Sequence, residues 1–513
     1  MNGLLVVLIL GLLFYFMHRA HGQMGRCGTA HHRKKEPQPG TEVKGEEPAS
    51  TAPPRAKETP RFAKLLVWTL LLLVPLMLLH SLIPAGSQLH SLLFWAALLL
   101  PLIILPFISK TGKALTSDEA EAGFEGEKED DEARWREQRL GIVGTLQEHV
   151  AREMRVEATR YDRDTIIFEG RLRAASDDVY RRLRSAFAEL NQAPQLLEGE
   201  RGQTIVVAAP ISPEERQPLR QNFGLAIVLF AATLVTTMWA GALHQGVNLW
   251  QDPTRFAVGL PYSLALMAIL LVHELGHYVA GRLHGIKVTL PYFIPIPMGL
   301  GTFGAFIQIR GAIPDRRKLF DVGAAGPLAG LVIALPALYF GLKGASVASS
   351  GTGVSLSSSV ILTWLYSLSN TGPVNPEHLV LLSPLGFAGW LGLLVTALNL
   401  IPVGQLDGGH IAYALLGRRH AETLGWVAFF LLLTLGIFYW SGWLTWAILI
   451  FFLAGVKHEP ALNELTALGW RRRLVGAFAF VLLFLIMAPV PHRFMDTLGV
   501  TCPYVGTGRE ATL

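Results

Sequence analysis

The chain has 513 residues, of which 51% are hydrophobic and 16% charged, against roughly 25% charged in ordinary soluble domains. Ser109 to Gln221 holds 41 of the 83 charged side chains and His18 to Lys64 another 15, leaving 27 for the remaining 353 residues. This distribution excludes a secreted disulfide scaffold, a disordered tail protein and a one-domain soluble enzyme, and predicts a polytopic membrane protein with one polar insert. The net charge of +5 comes mainly from bases between Arg19 and Lys64, beside a hydrophobic segment. Such a run is a topology signal, so no nucleic-acid partner is expected. Cys27 and Cys502 lie near opposite ends and predict neither a disulfide nor a thiolate metal site.

Apolar runs in chain order predict about ten transmembrane helices: Gly3 to Met17, Leu65 to Ile83, Leu92 to Ile108, Phe223 to Leu243, Tyr262 to Ala280, Val322 to Leu342, Leu379 to Ile401, Leu424 to Tyr439, Trp443 to Ala454 and Val475 to Ala488. The first has no basic residue before it and reads as an N-out anchor in preference to a cleaved signal. Alternating through ten spans puts the bases of 19–64, 110–220, 418–419 and 471–473 on one side, the cytoplasmic one. The resulting division is an N-terminal anchor (1–17), a basic, Pro-rich linker (18–64), two spans (65–108), an acidic linker with a small α+β cytoplasmic domain (109–221), a membrane core (222–457), and a final span with its tail (458–513).

The small domain covers about Ala133 to Ala209. Arg155 to Arg160 and Thr165 to Leu172 predict strands, Ser176-Asp177-Asp178 a cap on an amphipathic helix through Leu190, and Gln195 to Leu197 with Thr204 to Ala208 a hairpin. No catalytic motif lies there. A regulatory partner is the expected use of this domain, and its acidic lead, Asp118 to Glu132, reads as a solvated run.

Inside the fifth span stands His273-Glu274-Leu275-Gly276-His277. On a helix this spacing sets two imidazoles one turn apart on one face, within reach of one tetrahedral Zn²⁺, with Glu274 placed as general base. Read merely as packing histidines, the segment would leave Glu274 unpaired at bilayer depth. Two ligands are an incomplete site. His284 almost completes a three-histidine pattern but stands one residue too late. Asp407 is the better third ligand, because the fifth and seventh spans both run inward and bring it to the depth of Glu274; a helix cap is its alternative reading. The prolines and glycines of Gly285 to Arg310, with strand-like composition at Lys287 to Phe293 and Phe303 to Ile309, predict a re-entrant β-hairpin beside the metal. Gly323, Gly326 and Gly330 have the spacing of close helix packing, and Asp321 is placed to favour a helix N-terminus.

His-Glu-Leu-Gly-His, followed by Asn399-Leu400-Ile401-Pro402-Val403-Gly404-Gln405-Leu406-Asp407-Gly408-Gly409-His410, resembles the site-2 protease family of intramembrane zinc metalloproteases. Gly323 to Gly330 looks like the family's glycine-rich element and Gly301-Thr302-Phe303-Gly304 like its membrane-embedded glycine motif. These motifs cover Tyr262 to His410, and the extra N-terminal spans look like the bacterial and chloroplast branch. The resemblance implies one zinc held by His273, His277 and Asp407, catalysis by Glu274 with Asn399 near the reacting centre, and substrate binding around Gly301 and Gly304. It implies a membrane-anchored protein substrate cut near the cytoplasmic face of a lipid bilayer, most simply the bacterial cytoplasmic membrane, with an organellar one as the variant. A metal or ion transporter and a catalytically silent scaffold are the competing readings. A transporter would spread ionisable groups over several spans, whereas these collect at four residues.

Overall fold

The computed structural model describes residues 142–162, 165–199, 202–211, 221–296, 299–349, 355–356, 359–369, 378–438, 441–488 and 504–506. The three spans predicted before residue 109, the linkers and both cysteines lie outside these residues.

The polar insert folds as helix α1 (142–153), strands β1 (Met154–Asp162) and β2 (Thr165–Leu172), helix α2 (Ser176–Glu189), and strands β3 (Gln192–Glu198) and β4 (Thr204–Pro210). The antiparallel sheet has the order β1-β2-β4-β3. Strict alternation buries Ile166 and Phe168 from β2 and Val206 and Ala208 from β4 beneath Leu146, Leu183 and Phe187. The predicted strands and helix are present. The predicted Ser-Asp-Asp cap is corrected: the helix begins after Ala175 with no side-chain cap. Asp177 turns outward to Arg317 at 3.0 Å and accepts from Thr466 at 2.9 Å, partners from a distant part of the chain that compete with its own helix terminus.

The apolar region comprises α3 (Phe223–His244), a 3-10 turn (Pro253–Gly259), α4 (Leu260–Leu283), β5 (Lys287–Val288), β6 (Tyr292–Pro295), β7 (Thr302–Phe306), β8 (Ile309–Arg310) and α5 (Arg316–Lys343). After these come β9 (Ser346–Ser349), β10 (Ser355–Leu356), α6 (Val360–Ser369), β11 (His378–Leu381), α7 (Pro384–Leu400), α8 (Asp407–Leu416), α9 (Arg418–Phe438), α10 (Ser441–Leu453), α11 (Trp470–Met487) and β12 (Tyr504–Gly506). Among the described residues four helical segments are long and apolar enough to cross a membrane: Phe223–His244, Pro253–Leu283, Arg316–Lys343 and Arg418–Phe438. Large apolar side chains point outward from α3 (Ile227, Val228), α9 (Val427, Leu431) and α11 (Val481, Phe484), the reverse of the small domain.

Two predicted boundaries change. The run from Leu379 to Ile401 is a strand followed by a helix. Ser383 accepts from Gly386 N–H at 3.2 Å and Pro384 opens α7, so the preceding residues pair as β11 with β9 and β12. Helix α5 begins six residues before the predicted Val322, capped by Asp315, whose side chain accepts from the N–H groups of Arg317 and Lys318 at 2.9 Å. Asp321 is therefore inside the helix. It takes a fork from Arg472 of α11 at 2.7 and 2.8 Å and faces His284 Nε2 at 3.0 Å.

The two regions are stitched together by one extended segment. Leu196 N–H of β3 donates to Leu462 O at 2.7 Å, and Glu464 N–H returns to Leu196 O at 2.9 Å. On its other side Leu462 N–H donates to Ile313 O and Asn463 N–H to Pro314 O, both at 2.9 Å. The free edge of the small domain's sheet is thus continued to the residues that lead into α5.

Candidate metal centre

Helix α4 carries His273 and His277 one turn apart on its buried face. The Nδ1–H of His277 donates to Val322 O on α5 at 2.7 Å; a carbonyl only accepts, so this bond fixes the tautomer and leaves the Nε2 lone pair free. That Nε2 stands 3.2 Å from His273 Nε2. Asp407, in the first turn of α8, brings Oδ2 to 3.2 Å from His277 Nε2 and 3.3 Å from His273 Nε2.

Two imidazole nitrogens and a carboxylate oxygen therefore converge, all within 4.8 Å of one another. His273 and His277 are 3% and 6% exposed. Such a group of acceptors away from water is costly unless a cation or protons lie between them. The donor set of two imidazoles and one carboxylate with a fourth direction open suits catalytic zinc, so the residues fit the ion that the resemblance implies.

The glycines of α5 make room for this constellation. A Cβ on Gly326 would lie 2.0 Å from His277 Nε2; one on Gly330 would lie 3.1 Å from His273 Cβ, and one on Gly323 2.7 Å from His410 Cβ. Each glycine seats one histidine, so the small-residue spacing in α5 is where imidazoles pack against its backbone. Asp407 depends on the same device: a Cβ on Gly408 would fall 2.0 Å from Leu400 O, where the turn between α7 and α8 folds back on itself.

Glu274 is 5% exposed, and it lines the same cavity as Ile307. Asn399, next to the last residue of α7, places Nδ2 3.3 Å from His273 Nε2. A cavity of about 200 Å³ contains His273, Glu274, His277, Asn399, Asp407 and His410. The remaining wall includes Ala305, Phe306 and Ile307. Gly301 and Gly304 are not among its lining residues: Gly301 O accepts from Thr236 on α3 at 2.7 Å, and Gly304 N–H donates to Thr302 Oγ1 at 2.9 Å. Strands β6 and β7 pair antiparallel, as do β5 and β8, so the predicted strand segments form two short ladders beside Glu274. His284 lies on Asp321, apart from the three converging ligands.

One feature was not anticipated. His410 stood at the end of the quoted motif without a role; its Nδ1 meets His458 Nε2 at 2.5 Å, and Tyr413 stacks on His458 at 4.5 Å. His410 borders both the metal cavity and a neighbouring one of about 410 Å³ that also contains Gln308, Gln405 and His458.

Residues 261–436 match Peptidase family M50, so the chain carries an M50 peptidase domain over about a third of its length. The chain is 28% identical over 381 residues to the probable zinc metalloprotease EGY1, chloroplastic, of Arabidopsis thaliana, covering 65% of this chain and 68% of the relative. It is 34% identical over 241 residues to the probable zinc metalloprotease EGY2, chloroplastic, of the same plant (46% and 43%). It is 31% identical over 279 residues to the probable zinc metallopeptidase EGY3, chloroplastic (50% and 48%). The chain thus spans about two thirds of the first of these and under half of the other two. No solved structure matches it.

Proposed function

We propose that this chain is an intramembrane zinc metalloendopeptidase that hydrolyses peptide bonds of membrane-anchored proteins near the cytoplasmic face of its membrane. The observation that carries this reading is the convergence of His273, His277 and Asp407 beside a buried Glu274. His273, His277 and Asp407 would hold one zinc, which when bound would supply Lewis-acid chemistry, lowering the pKa of a water toward about 7 and polarising a carbonyl. Glu274 takes the proton of the attacking water and returns it to the leaving amine. Asn399 donates its amide N–H to the scissile carbonyl oxygen as charge develops there.

A substrate helix hides its own amides, so cleavage requires an extended segment. Among the described residues β7 pairs with β6 alone, and we assign its other edge, with Gly301 and Gly304 shaping the strand, to hold that segment. In this reading β5 to β8 are a re-entrant element, the full chain has about ten spans, and the division into anchor (1–17), linker (18–64), paired spans (65–108), cytoplasmic domain (109–221), core (222–457) and final span (458–513) stands. The small domain receives a regulatory partner. The chloroplast names of the relatives favour an organellar membrane over the bacterial cytoplasmic one.

The transporter reading has less support, because the motif's ionisable groups, His273, Glu274, His277 and Asp407, share a single cavity. The scaffold reading has less too, since every catalytic position is filled. Glu274→Gln discriminates: purified in detergent, it should retain zinc and lose cleavage of a single-span substrate by about 10²- to 10⁴-fold. Cleavage at the parental rate would overturn the proposal.

A further inference from the structure

The space around the metal ligands adjoins a second one. Phe306, Ile307, Ile309, Gln405 and His410 line both the metal cavity and the neighbouring cavity of about 410 Å³. This second cavity lies toward the small domain: Ile313 in its wall accepts from Leu462 N–H at 2.9 Å, and Leu462 also pairs with β3. Its polar lining is one-sided. Gln308, Gln405, His410, His458 and Glu459 contribute to the wall, and among the described residues no lysine or arginine does.

The ring hydrogen bonds decide what His410 offers. His458 Nδ1 lies 2.6 Å from Glu459 O; a carbonyl only accepts, so this nitrogen carries the proton and Nε2 keeps its lone pair. That lone pair stands 2.5 Å from His410 Nδ1, which therefore donates to it. Burial keeps His458 neutral, with its pKa pushed down to about 3, so donor and acceptor do not exchange. The other ring nitrogen of His410, Nε2, is left as a fixed acceptor. It has no partner among the described residues and is not an enclosed atom, so it is open to what enters. Nor is His410 a fourth member of the converging group, which is His273, His277 and Asp407.

Glu459 supplies the charge. Its carboxylate is in no ion pair among the described residues, and Lys457, two positions before it, is not in the wall. A carboxylate and a fixed acceptor without a cation suit a side chain that donates and carries positive charge. Proteins anchored by a membrane helix carry lysine and arginine at its cytoplasmic flank, the side on which this cavity lies in the reading above.

We propose that the second cavity is a specificity subsite for a lysine or arginine side chain of the substrate, on the cytoplasmic flank of its membrane span, held by the Glu459 carboxylate and the Nε2 acceptor of His410. Resting on the peptidase reading, this subsite adds which substrates are cut: those with a basic residue within a few positions of the scissile bond. The amide oxygens of Gln308 and Gln405 can turn toward the same cation.

The test follows cleavage of single-span substrates by the purified full chain in detergent. A neutral cytoplasmic flank receives a single lysine, glutamine or glutamate at each successive position, and kcat/KM is measured for each. At one position or two adjacent ones lysine should exceed glutamate by about tenfold, and elsewhere the charge should not matter. Glu459→Lys, a change at an exposed residue, should invert that order, and Glu459→Gln should flatten it to about twofold. His410→Phe should lower the lysine substrate about fivefold more than the glutamine one, whereas a merely structural role would lower both alike and would contradict the assignment. Zinc content of each variant reports whether the centre is intact. A parent indifferent to flank charge, or a lysine preference that survives in Glu459→Lys, overturns the subsite and leaves the peptidase reading standing. A parent that cleaves none of these substrates faster than Glu274→Gln overturns the peptidase reading, and the subsite with it.

Discussion

The small domain and the apolar core solve opposite problems. In residues 142–211 apolar side chains are gathered inside, around Phe168, Leu196 and Val206, while charges such as Arg160, Arg171 and Arg181 point to water. Those exposed pairs are worth little individually. In the core large apolar groups lie outside, on α3, α9 and α11, and His273, Glu274, His277 and Asp407 share one cavity. Polar chemistry is therefore informative in inverse proportion to its abundance. Where charge is common it marks solvent, and where it is scarce it marks function.

The comparison is sharpened most by damage that is local in the core and global in the small domain. Gly326→Leu drives a side chain into the position of His277 Nε2. It should cost more than about 10²-fold in proteolysis and strip the metal, read by elemental analysis, while the small domain keeps its exchange protection. Phe168→Ala, in the other region, should cost about 3–5 kcal/mol of that domain's stability and leave metal content untouched. If both variants lose metal equally, the two regions are one cooperative unit and the contrast fails.

A smaller effect concerns the junction. His458 is 8% exposed, and burial, with His410 beside it, pushes its pKa down to about 3 against the bond to Glu459 O. The folded state therefore keeps it neutral where the unfolded chain, with a pKa near 6.5, takes up a proton. The stability it contributes is present above about pH 6.5 and is lost as pH falls from there toward 3. Between pH 7 and pH 5 this amounts to about 2 kcal/mol. The midpoint measured across that range should fall in the parent and less steeply in His458→Gln. The smallest effect is that of Asp177→Asn. Its partner Arg317 is 41% exposed, so the loss should stay within about 1 kcal/mol, seen as faster exchange in β3 and as no change in cleavage.

How far the site was legible follows the same logic. His273, Glu274 and His277 were readable because helical spacing fixes their shared face. Asp407 was readable because so few carboxylates lie near a span. Asp321 was misread: its role depends on Arg472 and His284, partners 151 and 37 residues away, and local propensity carries no such information. The same holds for Asp177, whose cap was expected from three consecutive residues and lost to distant ones. The segment at Leu462 to Glu464 acts through backbone hydrogen bonds, which every sequence can make, so no residue type announced it. In the fold, long periodic helices were anticipated well, whereas the start of α7 was hidden in one apolar run that changes from strand to helix at Pro384.

The most direct measurement is zinc per purified chain in the parent and in Asp407→Asn, with His284→Ala as a folded comparison. One zinc is expected in the parent, an unchanged value in His284→Ala and a small fraction of it in Asp407→Asn. A parent without zinc, or full occupancy after Asp407→Asn, would contradict the three-ligand site.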